Sequence, residues 1–325
     1  MPKNKRKKIV VIGGGTGVFT VLSGLRKYPY DLSAIVSMFD DGGSTGILRE
    51  EFGILPPGDI RRALVALSDK PQALLSKLFN YRFSEGRGLY GHTFGNILIT
   101  ALERLTGNFL KAINEAGKIL SIKGKVIPVT LKKAKLIVFL ENGQKIVGET
   151  NIDIPKHNAN LKIVEAKLEP KCNPTKEALK AIKEADLIII GPGDLYTSII
   201  PNLLVLKISK AIQKSKAKKV YVCNLMTKFG ETNNFKASDF LNVIEKYLGE
   251  NVLDYFIVNT KKPDKKRLKK YSKEKSSFVY FDKENLKNKK ITILIGDFLR
   301  SRGFLRHDSN KLAKAINLLI KRSKI

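Results

Sequence analysis

A glycine-rich segment near the start of the chain carries the groups that a phosphate-binding loop needs. The apolar run 9–12 predicts a buried strand, and apolar residues at helical spacing follow the glycines. Between them stand Gly13, Gly14, Gly15, Thr16 and Gly17. Glycines let a backbone approach an anion closely, and a helix N-terminus presents unpaired N–H groups. We therefore predict a phosphate site. A turn that only packs a helix on a sheet stays the alternative, because Val18 breaks the strict G-x-G-x-x-G spacing.

Two adjacent carboxylates, Asp40 and Asp41, follow the second predicted strand, which spans 32–39. One of them could accept hydrogen bonds from a ribose, as in dinucleotide-binding units. The pair could instead hold Mg2+ beside phosphates, because hard cations prefer oxygen ligands. Ser44 belongs to the same polar segment. The alternative is a loop that only caps the turn around the glycines at 42–43.

Arg61 and Arg62 fall in the first turn of a helix that we expect Asp59 to cap. Positive charge at that position opposes the helix dipole. A bound anion would relieve the conflict, and so would Asp59 or the nearby Glu50 and Glu51. We include Arg61 among the candidate ligand contacts.

Three further polar loops precede predicted helices or follow predicted strands. Their candidate contacts are Gly91, His92 and Asn96 in the first loop, Gly191, Gly193, Tyr196 and Thr197 in the second, and Asn224 and Thr227 in the third. The second loop is a further candidate anion site. A lone histidine is more often structural than catalytic, and the three histidines of the chain lack metal-binding spacing.

The elements that must position these residues alternate between strand and helix, which predicts an α/β fold. We expect a mostly parallel sheet with helices on both faces, in a single domain over 1–325. The segment around 120–170 is rich in β-branched residues, and Asn142-Gly143 predicts a hairpin, so we expect an antiparallel excursion there. Ligands of parallel sheets bind beyond the carboxyl ends of the strands, where the polar loops fall.

The element-level predictions are specific enough to test. Strands are expected at 187–190, 220–224, 253–258, 278–281 and 291–295, and helices at 94–106, 176–185, from about Asn202, at 238–248 and after Asp308.

Composition excludes several classes of protein. With 43% hydrophobic residues the chain is globular, and its apolar runs are too short for a membrane helix or for a signal peptide after the basic start at 2–8. Two distant cysteines argue against a disulfide framework and fit a reducing cytoplasm. A net charge of +30 suggests nucleic acid, but the lysines are spread over most helices, so we expect no dedicated nucleic-acid site.

Taken together, the motifs resemble the YvcK family of gluconeogenesis factors, in a larger group with the phospholactate transferase CofD. The matching stretches are GGGTG (13–17), DDGGSTGILREEFGILPPGDIRRALVALSD (40–69), GHTFGN (91–96), GPGDLYTSIIPN (191–202), VYVCNLMTKFGET (220–232) and FLRHD (304–308). Thr45 stands where that family usually has serine, and we expect this change to be neutral.

The resemblance implies a cytoplasmic, Rossmann-like protein that binds a nucleotide-sugar, UDP-N-acetylglucosamine above all. It also implies a link to cell shape and wall synthesis during gluconeogenic growth, with cell-wall or regulatory protein partners. Carried over by motif, the glycine loop lines the phosphates, while Tyr196 and Asn224 belong to the same cleft. Tyr271 and Arg306 are further candidates for nucleotide contacts, and Arg306 could pair bidentately with a phosphate.

We expect a binding or regulatory protein without turnover, because no nucleophile–base pair is evident. The alternative is a CofD-like transferase in which Mg2+ on Asp40 and Asp41 assists the joining of a phosphorylated small molecule to a nucleotide-activated partner. A tubulin-like GTPase and an NAD(P) dehydrogenase fit less well, because the position of the glycines and the missing hydride-transfer groups argue against them. A homo-oligomer is expected from its frequency among such folds.

Overall fold

The computed structural model describes residues 6–70, 73–323 and 325. Its strands are β1 (Lys8–Gly13), β2 (Asp31–Val36), β3 (Lys125–Pro128), β4 (Lys135–Leu140), β5 (Lys145–Val147), β6 (Ile163–Glu169), β7 (Leu187–Ile190), β8 (Lys218–Val222), β9 (Tyr255–Asn259) and β10 (Thr292–Gly296). The first residues of the basic start, 2–5, lie outside the described part of the chain.

The α-helices are α1 (Gly15–Leu25), α2 (Gly43–Phe52), α3 (Gly58–Leu67), α4 (Leu74–Asn80), α5 (Phe94–Thr106), α6 (Phe109–Ile119), α7 (Glu149–Asp153), α8 (Lys176–Glu184), α9 (Ile200–Leu204), α10 (Ile208–Lys214), α11 (Ala237–Leu248), α12 (Lys265–Ser272) and α13 (Ser309–Arg322). A π-helical turn, Leu195–Ile199, leads directly into α9, and a 3-10 turn covers Lys283–Leu286.

In the described residues, seven parallel strands form the main sheet in the order β10-β9-β8-β7-β1-β2-β3. Ile9 of β1 is aligned with Leu32 of β2 on one side and with Leu187 of β7 on the other. The strand order therefore changes direction at β1, and the carboxyl ends of β1 and β7 frame the crevice where such sheets bind ligands. The predicted α/β fold is confirmed.

The central strands are short apolar runs because both of their faces are covered. Residues 9–12 of β1 and 187–190 of β7 are almost completely buried. Helices on each face of a parallel sheet remove its strands from water, so their sequences lack the alternation typical of half-exposed strands. Burial of this kind makes the sheet a rigid base for the loops at its carboxyl edge.

The predicted antiparallel excursion exists, but it is smaller than expected. A separate sheet has the order β5-β4-β6, and the hairpin between β4 and β5 turns at Asn142-Gly143, with Gly143 at φ +84°. Within the same region, however, β3 pairs in parallel with β2 and forms an edge of the main sheet. The sequence pattern missed this difference because β-branched residues suit both kinds of pairing.

Several boundaries differ from the predictions. Strand β2 ends at Val36 rather than at 39, and the π-helical turn starts seven residues before the predicted helix at Asn202. Asp59 lies inside the first turn of α3, which Pro57 precedes, so its predicted capping role is wrong. The predicted strand at 278–281 is also wrong, since Phe278 makes only an isolated bridge with Met226.

Other predictions are confirmed. Helix α5 spans 94–106 and ends at Gly107, which has φ +64°. The Asp308 carboxylate accepts hydrogen bonds from the backbone N–H groups of Asn310 and Lys311 at the start of α13. Cys172 and Cys223 are buried free thiols. In the described residues no single helix is long and apolar enough to cross a membrane. One bent pair of helical segments, Leu195–Leu204 with Ile208–Lys214, would be long and apolar enough, by length and composition alone.

Helix α13 packs on α1 across a glycine. A Cβ added to Gly24 would lie 2.1 Å from the Ser309 carbonyl oxygen and 2.8 Å from the Ala313 Cβ. At such distances the two helices must move apart, and overpacking of a core costs about 1–3 kcal/mol. Packing of α13 against α1 therefore requires glycine at this position.

We expect Gly24→Ala to lower the free energy of unfolding by about 2 kcal/mol, measured by urea unfolding, although alanine favours helix. Gly88→Ala is the matched control, because a Cβ there meets no atom within 4 Å. Equal stability of the two variants would contradict this account of the α1–α13 contact.

Candidate functional site

A cavity of about 510 Å³ opens at the carboxyl ends of β1 and β7, at the crevice predicted from the strand order. We call it the main cleft. The glycine loop after β1 forms its floor, and the loops after β2 and β7, the start of α3, and α7 form its walls. It brings together eight of the residues predicted from the sequence: Gly14, Gly15, Thr16, Gly17, Asp40, Gly193, Thr197 and Arg306.

The glycine loop is packed tightly against the loop after β7. A Cβ on Gly17 would lie 1.7 Å from the Pro192 carbonyl oxygen, so no larger residue fits there. Gly15 has φ +62°, and a Cβ on it would lie 3.7 Å from both Arg62 Nη1 and Ser198 Oγ. The first turn of α1 thus has a cation and a hydroxyl close beside it, and these groups together with helix N–H groups can bind a phosphate.

Three carboxyl groups share one side of the main cleft. Burial raises the pKa of Asp40. Burial also raises the pKa of Asp59 to about 6, with repulsion from Asp40 contributing, although Arg62 and a backbone N–H of Gly15 oppose the shift. Burial and the nearby Asp40, Asp153 and Asp41 raise the pKa of Glu149 to about 9. Burial and repulsion therefore disfavour the charged forms of these groups, and Glu149 is protonated at neutral pH.

Asp41 has a different position from Asp40, although the two are adjacent in sequence. Its carboxylate accepts hydrogen bonds from the backbone N–H groups of Glu149 and Thr150, at 3.2 and 2.8 Å, and from the Thr150 hydroxyl at 2.8 Å. These bonds hold α7, which belongs to the antiparallel excursion, against the main cleft. The Asp41 side chain is used inside the protein, and Asp40 is the member of the pair that lines the cleft.

A second acidic group surrounds Lys228, and two of its members, Asp153 and Asp194, line the main cleft. Asp153, Asp194 and Glu231 each place a carboxylate oxygen within 4.8 Å of the others. The Lys228 ammonium contacts Asp153 and lies 3.5 Å from Asp194 and 3.8 Å from Glu231. Despite its burial, the carboxylates raise the pKa of Lys228, so its charge is fixed. This ammonium links α7 to the loops after β7 and β8.

Arg61 and Arg62 point in different directions. Arg61 is buried, donates hydrogen bonds to Asn96 Oδ1 at 3.0 Å and to Asn80, and burial lowers its pKa to about 10. Arg62 lines the main cleft and lies 3.4 Å from Asp59. Arg61, the predicted ligand contact, therefore does not line the main cleft, whereas its neighbour Arg62 does.

A polar cluster behind the cleft contains three other predicted residues. The Ser44 hydroxyl lies 3.1 Å from His92 Nδ1 and 3.2 Å from Asn96 Nδ2, and all three side chains are buried. Gly91, at φ +80°, closes the turn before His92. The structure places these four residues outside the main cleft, where they join α2 to α5.

The loops after β7 and β8 supply the remaining predicted residues. Tyr196 is buried, with its hydroxyl donating to the Ile163 carbonyl at 3.3 Å, and Gly191 lies beneath the loop with its N–H bonded to the Ile12 carbonyl at 2.9 Å. Thr197 lines the main cleft and donates to Glu231 at 3.2 Å. Thr227 contacts the Ser277 hydroxyl at 3.0 Å, away from the cleft.

A smaller cavity of about 160 Å³ adjoins the main cleft and shares Thr16, Gly17, Gly193, Asp194 and Arg306 with it. Asn224 lines this smaller cavity and donates from Nδ2 to the Gly193 carbonyl at 2.8 Å. Tyr271 lies behind it, where its hydroxyl accepts a hydrogen bond from the Leu305 N–H at 2.9 Å. Tyr271 thus supports the loop that carries Arg306 rather than lining the cavity.

Several cleft residues were not singled out from the sequence as ligand contacts. They are Ser37, Asp59, Arg62, Glu149, Thr150, Asp153, Asp194 and Lys228. Ser198, whose hydroxyl belongs to the second predicted anion loop, also lines the cleft. Arg62 was weighed with Arg61, and a polar residue after each strand was the available signal for Ser37 and Asp194. No local signal marks 149–153, because that segment reaches the cleft only through the folding of the excursion.

The donor set of the main cleft fits a divalent cation. Asp40 and Asp59 repel each other, and both have raised pKa values, so a divalent cation held by these two residues would relieve the repulsion. The group around Lys228 already holds an ammonium. Mg2+ would therefore be held by Asp40 and Asp59 rather than by the adjacent pair Asp40 and Asp41.

The fold and the cleft define an α/β protein of the doubly wound type with a glycine-rich loop at its switch point. A family model described as 2-phospho-L-lactate transferase CofD matches residues 9–299. The chain belongs to the gluconeogenesis factor family within this CofD group, as the resemblance of its motifs indicated.

Relatives and solved structures agree over almost the whole chain. The gluconeogenesis factor of Bacillus subtilis is 41% identical over 98% of this chain and 99% of its own length. That of Halalkalibacterium halodurans is 43% identical, with 96% of each chain covered. A crystal structure of a Bacillus halodurans protein, 42% identical, superposes with a TM-score of 0.92 over 96% of this chain and 100% of that chain.

The burial of His307, which lines the smaller cavity, predicts that the protein loses stability in acid. Burial lowers its pKa to about 4. The unfolded chain binds a proton there as the pH falls through about 6.5, whereas the folded protein binds it only near pH 4. The stability is therefore present at neutral pH and is lost as the pH falls, by about 3 kcal/mol between pH 7 and pH 4.

We expect His307→Gln to reduce this acid-induced loss of stability by about 3 kcal/mol, measured by urea unfolding at pH 7 and pH 4. His157→Gln, which also removes one histidine, is the control. If His307→Gln kept the full pH dependence of the wild type, the buried imidazole would not be its source.

Proposed function

We propose that the protein binds a nucleotide-sugar with a diphosphate, of the UDP-N-acetylglucosamine kind, in the main cleft, and that it acts as a cytoplasmic regulatory protein. One observation carries the proposal. The same cavity presents the glycine loop with Arg62 and Arg306, together with the carboxyl groups of Asp40, Asp59 and Glu149, whose pKa values burial raises.

These two kinds of group match the two halves of a sugar diphosphate. Backbone N–H groups and guanidinium groups bind phosphate oxygens through charge-assisted hydrogen bonds. Carboxylates and hydroxyls accept hydrogen bonds from sugar hydroxyls, and Asp40 and Thr150 are placed for this role. An inorganic anion alone would gain nothing from the acidic side, so a polyhydroxylated ligand explains the cleft better.

The smaller cavity extends the site beyond the glycine loop. Its walls combine Asn224 with the apolar Leu225, Met226 and Leu305. An amide beside apolar side chains suits a flat heterocycle, because the faces of the ring need apolar contact and its edge needs hydrogen bonds. The nucleoside end of the ligand would then lie on the smaller cavity, with Arg306 between the two parts.

A regulatory role follows from the groups that line the main cleft. Among its described residues they are carboxylates, hydroxyls, cations and backbone, without a thiol or an imidazole that could serve as an activated nucleophile. Occupancy of the cleft would report the supply of the ligand. The link to cell shape and wall synthesis, and protein partners that read the bound state, form part of this proposal.

The binding proposal predicts that Arg306→Gln weakens the binding of UDP-N-acetylglucosamine at least tenfold, measured by isothermal calorimetry. A hydrogen bond to a charged group contributes about 1.5–3 kcal/mol. Arg302→Gln is the control, because Arg302 is exposed on the same loop but does not line the cleft. UDP, GDP and NAD as competitors define the nucleoside preference.

Two glycine variants distinguish a loss of ligand binding at the glycine loop from a general effect of backbone strain. Gly15→Ala and Gly86→Ala both place alanine at positive φ, +62° and +79°, but only Gly15 faces the cleft. We expect Gly15→Ala alone to lose binding. Absence of saturable binding in the wild type, or equal loss in both variants, would overturn the proposal.

A second candidate function is a CofD-like transferase, favoured by the family match and by the paired carboxylates Asp40 and Asp59. Mg2+ on these residues would neutralise phosphate charge when a phosphorylated acceptor meets a nucleotide-activated partner. In this chain Arg62 and the glycine loop would orient the phosphates, and Asp40 would hold the cation.

The transferase reading predicts metal-dependent release of a nucleotide product, detected by chromatography over a panel of donors and acceptors. We expect Asp40→Asn to abolish the effect of Mg2+ on binding or turnover, with Asp297→Asn as a control outside the cleft. Tight UDP-sugar binding with no product would favour the regulator. Binding of GDP without binding of UDP-sugars would favour the transferase.

A further inference from the structure

Positive charge is concentrated on a surface outside the cleft. We define the α12 surface as residues 261–281, which contain α12, together with Arg300 and Arg302 of the neighbouring loop. Helix α12 has no buried side chain. In the described part of the chain, none of the eight lysines between 261 and 275 lies within 4.0 Å of a carboxylate oxygen, although lysines elsewhere form such pairs. The charge of this surface is therefore available to a partner.

The orientation of α12 is fixed by its other residues. The Arg267 guanidinium donates to the backbone carbonyls of Arg300 and Phe304, at 2.9 and 3.2 Å. Leu268 and Tyr271 pack inward on a small cluster of buried leucines. Because the apolar residues of α12 face the protein, the outer side of the helix presents lysines to solvent.

Aromatic side chains lie next to these lysines. A cavity of about 770 Å³ beside α12 is lined by Phe278, Tyr280 and Phe281, together with Lys262 and Lys269. Tyr280 is 65% exposed, and Leu268 together with serine and threonine residues completes the lining. The sequence suggested lysines spread without aromatic neighbours, but the fold places three aromatic rings against the most basic segment.

We propose that the α12 surface binds single-stranded nucleic acid, with phosphates on the lysines and bases stacked on Tyr280 and its neighbours. A small anion would use Lys262 and Lys269 only, whereas the free charges extend along the whole helix. Bases stack on exposed aromatic rings in a single strand, and a duplex hides them. A membrane would need apolar side chains on the outer face, which α12 lacks. This inference does not rest on the function proposed for the cleft.

The test uses the full chain and fluorescein-labelled 20-nucleotide probes, one of uridine RNA, one of thymidine DNA and one duplex, in fluorescence anisotropy at several salt concentrations. Comparison of the two single strands distinguishes RNA from DNA as the source of the ligand. We expect single strands to bind more tightly than the duplex. The triple variant Lys262→Gln, Lys266→Gln and Lys269→Gln should weaken binding at least tenfold and reduce the salt slope by about 2.

A matched triple controls for the high overall charge of the protein. Lys207→Gln, Lys210→Gln and Lys214→Gln change the net charge equally at exposed positions around α10. We expect this control to leave binding within about twofold of the wild type, since counterion release follows the phosphates contacted. Equal losses in the two triples would overturn the proposal, because they would show a generally basic surface.

Tyr280 tests the stacking. Tyr280→Ala should weaken the binding of single-stranded probes about tenfold without changing the salt dependence of binding. Tyr280→Phe should keep the wild-type affinity, because stacking needs the ring and not the hydroxyl. Thermal melting checks that each variant is folded. The proposal fails if no probe binds, if the duplex binds as well as the single strands, or if anionic phosphatidylglycerol vesicles bind more tightly than the probes and Tyr280→Ala has no effect.

Discussion

The contact between the glycine loop after β1 and the loop after β7 is the constraint on which the rest of the site depends. Gly17 lies so close to the Pro192 carbonyl that a single added carbon would meet it at 1.7 Å. This close approach sets the distance between the two adjacent strands' carboxyl ends. It also places the start of α1 opposite Gly193 and Ser198, so that the anion cradle has two sides.

Around this contact the protein separates its charges. The chain has a net charge of +30, yet buried or half-buried carboxylates gather in the main cleft, where burial and repulsion raise their pKa values. Arrangements of this kind reduce stability and are typical of binding and active sites. The excursion contributes to the cleft through two polar links, from Asp41 to Thr150 and from Lys228 to Asp153.

The parts of the fold that the sequence predicted are those with a strong local cause. Strands β1 and β7 are apolar because both faces are buried, and α5 ends at a glycine that adopts positive φ. Helix α2 was missed because its sequence, GSTGILREEF, has few apolar residues and two glycines. The segment 278–281 is a continuous run of apolar and aromatic residues, but it makes one isolated bridge rather than a strand.

In the candidate site, too, the residues with a strong local signal were predicted and those brought together by the fold were not. The glycine loop could be predicted because one segment carries all of its features, whereas Lys228 and Asp153 meet across 75 positions of sequence. The sequence pattern also could not show in which direction each side chain points. Arg61 and Arg62 are neighbours, but successive residues on a helix point about 100° apart, so one contacts Asn96 and the other faces the cleft.

The packing of α13 on α1 also has a consequence for biosynthesis. The glycine loop lies at the N-terminal end of α1, whereas α13 packs on that helix from far along the chain, and Tyr30 and Asn317 are joined by a hydrogen bond of 2.6 Å across 287 positions of sequence. Because a ribosome makes a chain from its N-terminus, the glycine loop is synthesised well before the helix that packs on α1. The first helix of the fold therefore obtains its full packing only after α13 has been made.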